Sequence, residues 1–106
     1  MIKILVLLNK EILISQIEEV GSELGEPDCR LIEPFVVNSD MTLTPWMLDY
    51  TSQNSFMIHS DKVLTIIDPV NLILKKYVKN YVKNYVKYIK EYFKIMLLIM
   101  KTLTIH

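Results

Sequence analysis

His59, Ser60, Asp61 and Lys62 stand together between two β-favouring runs, Phe56-Met57-Ile58 and Val63-Leu64-Thr65-Ile66-Ile67. A His and a Lys at the mouth of a tight polar tip offer N–H donors and positive charge to a phosphate or a base edge. The alternative for these four residues is an exposed tip whose polar groups only satisfy a turn. Arg30 is a second candidate donor, able to fork toward a nucleotide or to pair with Glu26 or Glu33. Trp46 and Tyr50 either form a stacking platform, worth roughly 1–3 kcal/mol per base, or fold back as a satellite core. Cys29 alternates with core positions and reads as a buried, inert thiol. Glu18 and Glu19, adjacent on a strand, point to opposite faces and cannot converge on one substrate. No catalytic residue, cofactor, metal or small-molecule substrate is therefore expected. His59, His106 and Cys29 are too few for a zinc site.

The 106 residues predict one domain, close to the size at which a core needs help from disulfides, metal or self-association. Cys29 is the only cysteine, which excludes an internal disulfide and fits a reducing, cytoplasmic setting. Self-association is what remains. The net charge is zero but segregated: residues 1–74 hold four basic against eleven acidic residues (−7), and residues 75–106 hold eight lysines against Glu91 (+7). Such an asymmetry bears on partners rather than on fold. The opening Met-Ile-Lys-Ile-Leu-Val-Leu-Leu lacks a signal-peptide pattern, and Ile95–Met100 falls far short of the roughly 20 residues that span a bilayer. A soluble or peripheral protein is expected.

The elements that must position these residues read mainly as β. Ile2 to Leu8 is one run, and Asn9-Lys10 turns it into Glu11–Val20. There Ile12 and Ile14 share one parity and Leu13 and Ile17 the other, which implies a strand buried on both faces or bent by a bulge; a helix competes. Gly21–Asp28 is an acidic loop, and Cys29–Val37 is a strand that Pro34 confines to an edge or breaks. Residues 38–54 form a long connection in which Thr44-Pro45 can start a helical turn. Phe56–Ile67 reads as a hairpin, and Asp68-Pro69 leads into a helix. From Tyr77 the unit Tyr-Val-Lys-Asn repeats. At about 100° per residue this lays Tyr77, Tyr81, Tyr85, Tyr88 and Tyr92 on one arc, Val78, Val82, Val86, Ile89 and Phe93 on the next, and Lys79, Lys83, Lys87, Lys90 and Lys94 on a third. The lysine arc reads first as a solvated face, with a nucleic-acid contact or a membrane surface as alternatives; a membrane is not the expected partner. Two units follow: a β domain over 1–74 and a basic helical tail over 75–106, poorly ordered at its end.

Five short β runs, a bent early strand and a last pair joined by a tight turn resemble the Sm-like fold. Ile58, His59, Ser60, Asp61 and Val63 to Ile66 take the places of the family's second motif, apolar-Arg-Gly-small polar-apolar strand. Together with Trp46-Met47-Leu48-Asp49-Tyr50-Thr51-Ser52-Gln53-Asn54, residues 1–77 are similar to Sm-like proteins attributed to marine cyanophages. The resemblance implies a small bent five-stranded antiparallel barrel with a C-terminal helix. It implies a homo-oligomeric ring of about five to seven subunits paired edge to edge. It also implies single-stranded RNA, or DNA, held near the pore by His59, Ser60, Asp61, Lys62 and Arg30 with Trp46 and Tyr50, in the cytoplasm of a bacterial host if the chain is phage-encoded. The match departs from the family where Ser15 replaces a mid-strand Gly and His59-Ser60 replaces Arg-Gly. The rival is a structural ring that binds no nucleic acid.

Overall fold

The computed structural model describes residues 1–104; the side chains of Tyr85, Tyr88, Leu103 and Thr104 are outside what it describes, as are Ile105 and His106. The order is β1 (Ile2–Leu7), β2 (Ile12–Glu19), β3 (Cys29–Val37), β4 (Leu43–Pro45), β5 (Ser55–Ile58), a 3₁₀ turn (Ser60–Lys62), β6 (Val63–Ile67) and α1 (Asn71–Thr104). The chain is thus the mainly-β antiparallel protein with a C-terminal helix that its sequence predicts. The sheet is open and has six strands, in the order β4-β3-β2-β1-β6 with β5 also on β3.

β1 and β2 pair across a four-residue connection in which Leu7 N–H donates to Glu11 O at 2.9 Å and Lys10 takes φ 70°. β2 is a strand buried on both faces. Ile14 joins Ile4, Phe35, Ile73 and Tyr77 in a cluster under the helix. Leu13 joins Leu5, Leu7, Cys29 and Leu31 on the opposite face. The bend expected at Ser15 is present, but the extra residue belongs to β3: Ile14 pairs with Phe35 and Gln16 with Ile32, so Glu33 and Pro34 oppose Ser15 alone. Glu33 adopts φ 52° there. At the same point the outer edge of β3 changes partner, from β5 (Ile32 with Ser55) to β4 (Phe35 with Pro45). Pro34 sits inside β3 at this irregularity, where a missing N–H costs no ladder bond.

Two expectations need correction. Leu43–Pro45 is a strand rather than the start of a helical turn, because Asn38 and Thr42 close a tight loop (Asn38 N–H to Thr42 O, 2.9 Å) that returns the chain along β3. Phe56–Ile58 and Val63–Ile67 do not pair with each other as a hairpin. β5 pairs with β3 and β6 pairs with β1, on opposite edges of the sheet. In a flat sheet those edges would lie about 19 Å apart, four strand spacings. The path from Ile58 to Val63 through the 3₁₀ turn reaches only roughly 13 Å. The sheet must therefore curl, and it does so around the Leu5/Leu13/Leu31 cluster, which Ile58 and Val63 both join.

α1 begins at Asn71, three residues after Asp68, whose carboxylate pairs with Lys3 instead of capping the helix. Ile73 and Tyr77 are its buried contacts with the sheet, and Lys76 Nζ donates to Met41 O at 3.1 Å. Tyr81 stacks on Tyr77 at 6.4 Å. The expected alignment of Tyr85 and Tyr88, and the expected poor order of the chain's end, lie outside the described residues.

Candidate functional site

The turn Ser60–Lys62 is held from two sides. Leu8 N–H, in the β1–β2 loop, donates to Lys62 O at 2.9 Å, and Lys62 N–H donates to His59 O at 3.0 Å. From the β2–β3 loop, Asp28 accepts Ser60 N–H at 2.8 Å and Ser60 Oγ–H at 2.7 Å. These Ser60 bonds, with the nearby His59 adding to them, hold the Asp28 carboxyl below its ordinary value of 3.8. A lowered folded value means the clamp is complete above the ordinary carboxylate range and is lost as pH falls through the folded value. Acidification is therefore expected to lower the protection of the Ser60 amide, its exchange by NMR measured relative to the intrinsic rate at the same pH, and Asp28→Ala should lack that protection already at neutral pH.

The clamped turn forms one wall of a groove of about 430 Å³ whose lining includes Leu8, Asn9, Trp46, Met57, His59 and Lys62. His59 precedes the turn in extended conformation (φ −80°, ψ 130°) and its side chain makes no cap bond to the turn. Trp46 is half-buried and meets Phe56 edge-on at 5.2 Å, with one side toward the groove. An ammonium, an imidazole and an indole around one groove can take a flat ring and an adjoining anion.

The fold thus brings His59, Lys62 and Trp46 together and leaves the other candidates apart. Ser60 spends its donors on Asp28. Asp61 is exposed on the turn. Arg30 pairs with Glu18 at 2.6 Å across β2 and β3, rather than with Glu26 or Glu33, and does not line the groove. Tyr50, 86% exposed, lines a neighbouring hollow with Trp46 and Glu11. Cys29 is buried, and burial first, then Asp28 and Glu19, pushes its thiol up. Among the described residues no three His, Cys, Asp or Glu side chains gather as a metal site. Asp28, Leu8 and Met57 were not read from sequence as parts of this site. Asp28 lies 32 residues from Ser60, and the pairing of β5 with β3, which sets Ile58 against Cys29, brings them together.

A bent antiparallel β-sheet protein with one docked helix and a loop-built groove is the class that these features define. The chain belongs to a family of unknown function, DUF6561, whose model matches residues 1–82. That span takes in every strand, the groove and the part of α1 that carries Tyr77 and Tyr81. No curated protein matches the chain.

Proposed function

We propose that this protein is a non-enzymatic, Sm-like subunit that closes into a homo-oligomeric ring and binds single-stranded RNA at the His59–Lys62 turn. The observation that carries the reading is the connection of β5 to β6. One short turn links the two outer edges of a single sheet, and each edge pairs with a partner on its inner side only. Pairing β6 of one copy with β5 of the next is a heterologous contact that repeats around an axis, and a closed ring gathers every turn on one side. Val63–Ile67 also lacks the lysines, prolines and inward charges that blunt a solvent-facing edge. Leu64, Ile66 and Ile67 lie 65%, 51% and 51% exposed along it.

For RNA, the support is local. Lys62 brings a charged donor, His59 an imidazole and Trp46 an aromatic surface to one groove. With one or two cations per subunit, log affinity per subunit site should fall with log salt at a slope of about −1. The test is light-scattering mass with and without a short single-stranded RNA. The expected result is an assembled species that gains RNA mass, and His59→Ala with Lys62→Ala should lower RNA affinity about tenfold or more without changing assembly. A monomer indifferent to RNA refutes both halves. The specific observation that favours a scaffold without nucleic acid is that Ser60 and Arg30 are already occupied by Asp28 and Glu18 within an acidic body; assembly with no RNA gain is its signature.

A further inference from the structure

We infer that α1 lies along the surface of an anionic lipid bilayer, with its Val/Phe arc and apolar end in the acyl boundary and its lysines against phosphate headgroups. The sheet covers only the first turns of the helix. Past Tyr81 the arc of Val82, Val86, Ile89 and Phe93 is left exposed, on a helix of 34 residues, about 51 Å, in a molecule 59 Å long. From Ile95 to Met100 the helix is apolar on all sides, with exposures from 37% at Met96 to 67% at Leu98. A stripe is satisfied by one flat partner, whereas this wider apolar end sinks deeper into a soft boundary such as the acyl edge of a bilayer. No helix among the described residues is long and apolar enough to cross a membrane, so the helix lies in the interface plane rather than through it.

Charge selects the occupant. Residues 75–104 carry eight lysines and one glutamate. A second copy of the same helix would bring like charge to the same face. Anionic headgroups bring opposite charge and an apolar layer beneath it. Lys94 and Lys101 bracket the apolar end, and seven residues apart they fall within about 20° of one another around the helix. Their stems can lie along the acyl boundary while the ammonium groups stay in the headgroup layer. This inference uses none of the groove residues and stands or falls apart from the RNA reading.

The experiment is flotation of the full chain with vesicles of phosphatidylcholine alone and of an equimolar mixture with phosphatidylglycerol. The expected result is flotation with the mixed vesicles only, released by high salt. Lys90→Gln with Lys94→Gln should lower vesicle affinity about thirtyfold. Leu97→Glu with Leu98→Glu, at positions exposed in the free chain, should abolish flotation with circular dichroism unchanged. Failure to float with anionic vesicles overturns the inference. So does equal flotation with neutral vesicles, or a Leu97/Leu98 variant that floats normally and has instead lost oligomer mass, which would assign the face to a second copy.

Discussion

Tyr77→Ala is expected to destabilise the protein by about 3–5 kcal/mol. Native domains hold only about 5–15 kcal/mol in total. Tyr77 is fully buried, packs edge-on against Phe35 at 5.7 Å, and places its hydroxyl at the irregularity where β2 and β3 bend. There the hydroxyl accepts Gln16 N–H at 3.3 Å and lies 2.9 Å from Glu33 O and 3.2 Å from Ile32 O, either of which accepts its proton. Ser15 Oγ–H donates at the same place, within reach of Gln16 O and Ile32 O. A bulge leaves backbone groups without ladder partners, and these two hydroxyls supply them. Tyr77→Phe isolates that role. It keeps the ring and strands the backbone groups, costing about 1–3 kcal/mol in urea denaturation.

The same residue sets an alkaline limit. Burial, the largest influence, pushes the Tyr77 phenol from 10.0 up to about 12. A group raised in the folded state contributes stability that is whole below its unfolded value and lost as pH rises through the folded one. Stability should therefore decline between about pH 10 and 12, and Tyr77→Phe should lack this component. Every other ionisable group is common to both proteins, so the difference between them reports Tyr77. An identical alkaline profile in the variant would refute the assignment.

Leu64→Lys with Ile66→Lys is expected to convert the proposed ring to monomers that remain folded. Both side chains are exposed in the single subunit, so the stability of that subunit should change by only about 0.5 kcal/mol. Once β6 is covered by another copy, each lysine becomes an unpaired charge at a buried seam. That costs several kcal/mol, enough to weaken association about a hundredfold or more. Light-scattering mass at fixed concentration reads the change, with circular dichroism as the control for folding. A wild-type monomer, or a variant that keeps its oligomer mass, would remove edge pairing as the basis of the proposed ring.

Residue types alone carried much of this fold. The opposite parities of Ile12/Ile14 and Leu13/Ile17 marked a strand buried on both faces, and the switch at Ser15 marked its bend. Asn9-Lys10 marked the first turn, and the spacing of Val78, Val82 and Val86 marked the helix. Each is a local signal, because side-chain direction follows backbone period over a few residues. The misread hairpin fails for the complementary reason. Two β runs separated by a polar tip look the same whether they pair with each other or with strands on opposite edges. The difference is settled by curvature around Leu5, Leu13 and Leu31, which no short window contains. Leu43–Pro45 was missed because three residues are too few to show a period. In the groove, His59 and Lys62 were legible as donors beside a turn, whereas the clamp from Asp28 and the removal of Arg30 by Glu18 were not.

The repeat states the division most plainly. Its period made a lysine-faced amphipathic helix out of residues 77–94 whatever the rest of the chain did, since 100° per residue sorts Tyr, Val and Lys onto separate arcs. Tyr77 and Tyr81 sit in the same local unit, Tyr-Val-Lys-Asn, and no property of that unit distinguishes them. Only the docking of α1 over the β2–β3 bulge makes Tyr77 a buried hydrogen-bonding strut. Burial and partner choice depend on what other segments bring to the same point in space.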